Sequence, residues 1–164
     1  MTMSRPIRIL IILAGIAVFV VASIGLGRVL SARGAERASL EQLINDEGAG
    51  RLKAVAGSIT DCEPGTACYE RLSKVLAKVG KPGAKVEILQ ITQGTKVSPG
   101  GSTGVARIAW SVGGRLPVAQ CVVVERKGSV TSGFTVSINA VSAPIDRTGA
   151  CPTVERLLAG DSRN

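Results

Sequence analysis

Hydrophobic and polar positions change their period twice along this chain. From Ile9 to Gly27 the sequence ILIILAGIAVFVVASIGLG runs nineteen residues without a charge. A helix of that length reaches roughly 28 Å, close to the hydrocarbon thickness of a bilayer. Beyond it, apolar residues recur at helical spacing: Leu40, Leu43 and Ile44, then Leu52, Val55, Ala56 and Ile59. Ser39 with Gln42 has the form of a capping box, and Glu41 adds an acid in the first turn, so a helix is expected to begin there. Gly48 and Gly50 bend that helix or split it into two pieces. Thr66 is placed to cap another amphipathic helix with the stripe Leu72, Val75, Leu76 and Val79, leaving Arg71, Lys74 and Lys78 on its other face. Gly80-Lys81-Pro82-Gly83 stops it.

The period then falls from 3.6 to 2. Strands are expected over residues 85–92, 105–112, 116–126 and 129–141. A loop from Gly94 to Gly104 joins the first two, Gly113-Gly114 makes a tight turn, and Lys127-Gly128 makes the next. In the second strand Ala106, Ile108, Trp110 and Val112 share one face and Arg107, Ala109 and Ser111 the other. Short connections between successive strands make an antiparallel meander. The expected fold class is therefore α+β: an N-terminal transmembrane helix, then two amphipathic helices packed on a curved four-stranded antiparallel sheet. The chain divides into a short n-region (1–8), an uncleaved signal anchor (9–27), a polar connector (28–38), one domain (39–154) and a flexible tail (155–164).

Composition narrows the chemistry. The chain of 164 residues has no histidine, so Ser-His-Asp triads, Cys-His nucleophile pairs and His-bearing metal sites are excluded within it. Carboxylates, Lys and Tyr remain for acid–base work. Aromatic content is 2%, which leaves the core to Val, Ile, Leu and Ala and argues against stacking platforms for sugars or single strands. From Arg28 onward there are 18 basic and 12 acidic residues. Spread as they are, these charges read first as a solvated surface; behind an anchor their partners are anionic lipid, an acidic polymer or an envelope protein, and nucleic acid is not expected. No cofactor is implied.

Arg5 and Arg8 precede the apolar run while Arg28, Arg33 and Arg37 follow it, so the positive-inside rule is nearly tied. The four cysteines, Cys62, Cys68, Cys121 and Cys151, break the tie: an even number outside the span suits two disulfides in an oxidising space. The N-terminus is then cytoplasmic and the domain extracytoplasmic. A cleaved signal peptide is the alternative, with small residues at Ser23/Gly25 or Gly25/Gly27. Ser23 and Gly27 also form a small-xxx-small pair able to pack two helices. Three cysteine pairings are possible. Proximity favours Cys62 with Cys68 around the Pro64-Gly65 turn, and Cys121 with Cys151 closing about 30 residues.

The order of elements over residues 39–143 resembles the cystatin-like and NTF2-like domains carried by many bacterial membrane-anchored extracytoplasmic proteins. In cone-shaped NTF2-like folds an acidic residue inside the open sheet can be catalytic, which is what the resemblance implies for Glu87 and Glu125. The other acidic candidates are the neighbours Asp46 and Glu47, which a helix points about 100° apart, and Asp61 and Glu63 beside the cysteine loop. Pro99-Gly100-Gly101-Ser102-Thr103-Gly104 lacks the Gly-Lys-Ser/Thr ending of a phosphate cradle and reads as a hairpin loop. Tyr69 and Trp110 stand alone. Two readings follow. A tethered, non-enzymatic interaction domain predicts exposed acidic residues and a free sheet edge or apolar patch. A small carboxylate-based enzyme or ligand binder predicts an acid buried in a cavity with a raised pKa.

Overall fold

The computed structural model describes residues 5–95, 98, 101–129, 132–146 and 149–160. Its first element, α1, is one helix over Arg5–Gly48. Forty-four residues at 1.5 Å each give it a length of roughly 66 Å. The expected start at Ser39 is not found, because Ser39 lies inside α1. Residues 28–38 are rich in Arg, Ala, Leu and Glu, all good helix formers, so the helix arrives at Ser39 already formed and needs no cap there. Residues 9–27 are exposed almost throughout, and from Ala32 onward the inward face is buried. By length and composition α1 contains a segment able to cross a membrane.

Gly50, with φ of 70°, ends α1. Its N–H donates to the Glu47 carbonyl and that of Arg51 to the Asp46 carbonyl, each at 2.9 Å, the paired bonds of a Schellman terminus. The Gly48/Gly50 interruption therefore splits the stripe, and α2 follows over Leu52–Ser58. Helix α3 spans Ala67–Val79 and is capped by Thr66, whose hydroxyl accepts from the Tyr69 N–H at 3.2 Å. The Lys81 N–H donates to the Gly48 carbonyl, fastening the end of α3 to the end of α1.

Four strands follow: β1 (Val86–Thr92), β2 (Ser102–Val112), β3 (Val118–Ser129) and β4 (Gly133–Val141). They form an open antiparallel sheet in the order β1-β2-β3-β4. Gly113 and Gly114 turn the chain from β2 towards β3 with φ of 53° and 76°. The turn expected at Lys127-Gly128 is corrected: these residues lie in β3 opposite Thr135 and Phe134. A Cβ on Gly128 would meet the Gly133 carbonyl oxygen at 2.0 Å, so the glycine answers a close strand approach. Of the glycine-rich 99–104 stretch, Ser102–Gly104 belong to β2, and Pro99 and Gly100 lie outside the described residues.

One face of the sheet carries the main core. Ala106, Ile108, Trp110, Val122, Val124 and Ile138 pack with Leu40, Leu43 and Ile44 of α1, Val55 of α2 and Leu72 and Leu76 of α3. The opposite face carries a smaller cluster of Cys121, Val123 and Leu157. Leu157 belongs to α4, Val154–Leu158, so part of the expected tail is a helix with a buried residue. The Cys62 and Cys68 sulfurs, and those of Cys121 and Cys151, stand at disulfide distance. The second pair ties the segment leading into α4 to β3.

Trp110 is the sole tryptophan and is wholly buried, so its emission reports unfolding. Replacing Cys121 and Cys151 by Ser is expected to cost about 3–4 kcal/mol in urea unfolding, since that bond closes a separation of 30 residues. Replacing Cys62 and Cys68, separated by 6 residues, should cost only about 2 kcal/mol.

Candidate functional site

The inward face of α1 is not purely apolar. Glu36 and Glu47 sit on the same stripe as Leu40, Leu43 and Ile44 and are fully buried, and Asp46 is nearly so. A tethered interaction domain was expected to expose all its acidic residues, and these three overturn that. Glu36 meets Arg126 of β3, its Oε2 accepting from Nη2 at 3.0 Å with both side chains shielded from solvent. Its Oε1 accepts from the Gly94 N–H at 3.0 Å, and Oε2 accepts also from the Thr95 hydroxyl. The Arg126 guanidinium stacks 5.8 Å from the centre of the Phe134 ring. Asp46 is held by the Arg51 Nε at 2.8 Å.

Glu47 ends a second buried chain. The Trp110 indole N–H donates to Gln120 Oε1 at 2.6 Å, and Gln120 Nε2 donates to Glu47 Oε1 at 2.6 Å and to the Ser142 carbonyl at 3.3 Å. Glu47 Oε2 has no hydrogen-bond partner among the described residues. Burial lifts the Glu47 carboxyl from an ordinary 4.5 to about 7, and the Gln120 bond offsets only part of that.

A buried acid with a raised pKa meets half of the criterion for a catalytic pocket. Glu47 does not line the groove along β4. The large concavity of the domain, about 690 Å³, lies along β4 between α3 and α4. Arg71, Lys74, Val75 and Lys78 form its α3 wall, Asn139–Val141 its floor, and Leu157, Leu158 and Gly160 its far wall. Gly160 ends α4 at φ of 79°, and the Arg71 guanidinium packs so closely on it that an added Cβ would overlap Nη1. Asp61 and Glu125 also line the groove. Glu125 accepts from the Asn139 amide at 2.9 Å and pairs with Lys127 at 3.2 Å. The Asn139 bond above all, with Lys127 beside it, holds the Glu125 carboxyl below the usual range, the opposite of what a general acid requires.

The remaining candidates disperse. Glu87 is exposed on β1 opposite Ser111 and 3.9 Å from Lys85, away from the groove. Glu63 is exposed in the Cys62–Cys68 loop. Tyr69 packs partly buried against the main core, and Trp110 is committed to Gln120. Among the described residues no cluster of His, Cys, Asp or Glu could hold a metal ion. Sequence reasoning passed over Glu36, Gln120 and Arg126. Their signal was present as charged and polar residues at inward positions of α1 and β3: Gln120, Val122, Val124 and Arg126 alternate on one face. The sequence matches no family model, and comparison with curated proteins and with solved structures finds no similar chain.

Two consequences are measurable. Because the folded pKa of Glu47 is raised above its unfolded value, its contribution to stability is complete below about pH 4.5 and is lost as pH rises through about 7. The loss amounts to about 3 kcal/mol, and Glu47→Gln, which keeps the amide bond partner and cannot ionise, should remove that component from unfolding free energies measured between pH 4.5 and 8. Arg126→Met should destabilise by about 3–5 kcal/mol by stranding Glu36, while Arg126→Met combined with Glu36→Leu should recover most of that loss in the same urea titration.

Proposed function

We propose that this chain is a single-pass, membrane-anchored extracytoplasmic domain that works by binding a partner in the groove between α3 and α4 rather than by catalysis. The observation that carries the reading is the distribution of acidic groups. The buried acids of α1 are engaged with Arg126, Arg51 and Gln120, and in the groove the cations Arg71, Lys74, Lys78 and Lys127 outnumber the two acids Asp61 and Glu125 beside apolar side chains. Glu125, the acid at the groove that the NTF2-like resemblance keeps as a catalytic candidate beside Glu87, is held ionised by Asn139 and Lys127. A groove of about 690 Å³ falls within the usual range for ligand sites, roughly 300–1,000 Å³. Kinship with cystatin-like and NTF2-like domains stays within this reading at the level of architecture, supported by helices preceding a four-stranded meander.

The cysteines support the orientation in this reading. Two pairs at bonding distance suit an oxidising compartment, in keeping with a domain outside and the short Arg5/Arg8 segment inside. A membrane-impermeant maleimide applied to intact cells should label the chain only after a reductant is added. Labelling that needs lysis and no reductant would place the domain in the cytosol with free thiols and sink the proposal.

A further inference from the structure

The groove is built around an interrupted strand edge. Ile59 bridges Ile138 in parallel, and the Thr60 N–H donates to the Ile138 carbonyl at 2.8 Å, so the chain begins a fifth strand beside β4. It then leaves. Asp61 adopts a left-handed φ of 55°, and the Cys62–Cys68 link holds the departing loop. Past Ile138 no strand of the described residues pairs with the outer edge of β4, and Asn139–Val141 form the groove floor. Unpaired edge groups of this kind are a template for another strand.

We infer that the groove takes an acidic segment of another polypeptide in extended conformation, added to β4 as the strand that Ile59-Thr60 begins; this rests on the reading of the domain as a binding module. Successive side chains of an added strand point to opposite faces of the sheet. One set would face α3, where Arg71, Lys74 and Lys78 line the groove, form no ion pair among the described residues and outnumber the two acids there, Asp61 and the Lys127-paired Glu125. The other set would face α4, where the exposed Leu158 offers apolar surface. The ligand pattern that fits is acidic and apolar residues in alternation.

Height above the membrane selects a polypeptide over lipid headgroups. Val141 pairs with Val122, two residues from Gln120, whose amide holds Glu47. Glu47 lies twenty residues beyond Gly27 on one unbroken helix, a rise of roughly 30 Å. The headgroup layer accounts for only about 5–8 Å on each side of a bilayer. With α1 along the bilayer normal, the groove floor of Asn139–Val141 stands clear of it.

The test uses the full chain in zwitterionic lipid nanodiscs at pH 7 and a fluorescein-labelled, end-capped ten-residue peptide of alternating Glu and Val, read by anisotropy. Saturable binding is expected, with Lys74→Ala/Lys78→Ala weakening it at least tenfold at unchanged Trp110 emission. The Lys-Val counterpart should fail to bind, and N-methylation of alternate backbone nitrogens should abolish binding. No binding by the Glu-Val peptide, equal binding after N-methylation, or equal binding by the Lys-Val peptide would overturn the proposal. So would a short-chain phosphatidylglycerol that displaces the peptide from the wild type and loses affinity in the double variant, which would assign the groove to a lipid. The N-methylated peptide decides the matter even if the double variant misfolds. Failure here with reduction-dependent maleimide labelling intact would remove the ligand class and leave the tethered domain standing.

Discussion

Two acidic side chains on the inward face of one helix set the register of this molecule. Glu36 and Glu47 are eleven residues apart on α1, a rise of roughly 16 Å, and both are removed from water. Each needs a polar partner there, because an uncompensated buried carboxyl is among the costliest groups a core can hold. Both partners come from β3: Arg126 for Glu36 and Gln120 for Glu47. Those two are six residues apart, roughly 20 Å along a strand, and their order is reversed relative to α1. The helix is thus pinned at two points against the strand, running antiparallel to it. A slip of one helical turn would separate both pairs at once. The apolar stripe between the pins, Leu40, Leu43 and Ile44, supplies the burial, but its side chains are similar enough to tolerate a slip; the polar ends do not.

This pinning has a consequence for the whole chain because α1 is the helix that carries the apolar segment. No flexible stretch separates Gly27 from Ala32, where burial in the domain begins. The domain is held at a fixed distance and rotation relative to that segment, not tethered on a free leash. The β1–β2 connection, through Gly94 and Thr95 at Glu36, lies at the end of the domain nearest the apolar segment, whereas Gly48 and the start of β1 lie at the far end. Strand direction and helix direction together therefore decide which loops lie towards the apolar segment and which project away from it.

Local signals in the sequence are legible where local physics decides the outcome. Thr66 caps α3, Gly80 follows its last residue, and the alternation in β2 sorts core from surface as the pattern implied. The failures share a cause: each was a local signal outweighed by something distant. Ser39 and Gln42 match a capping box, yet a helix arriving from residue 38 removes any need for one. Lys127-Gly128 looks like a turn, but the glycine serves the close crossing of β3 and β4. Leu157 sits in a five-residue helix too short to show a period, and the Cys121–Cys151 link and the Ala119–Ile145 bridge bring its segment to the sheet. Glu36 and Glu47 were legible as members of the stripe at 36, 40, 43, 44 and 47, but their charge suggested a solvated face. The groove could not be read at all, since its walls are more than sixty residues apart in sequence.

The treatment of the two sheet edges explains why one became a groove. An exposed edge invites pairing with other chains unless something blunts it. At β1 the register shifts between Ile88 and Gln90, and the ion pair of Lys85 with Glu87 sits at the strand's start. A bulge and charges of this kind are ordinary defences. At β4 the molecule instead supplies a partial strand of its own in Ile59-Thr60, then turns it away through a non-glycine residue in a left-handed conformation. Such a conformation costs free energy for Asp61 and persists only where its surroundings fix it, here a two-cysteine loop. With α3 and α4 standing on either side of the remaining backbone, the edge is shielded from indiscriminate pairing while its floor stays accessible. Shielded flanks around an accessible floor set this edge apart from that of β1.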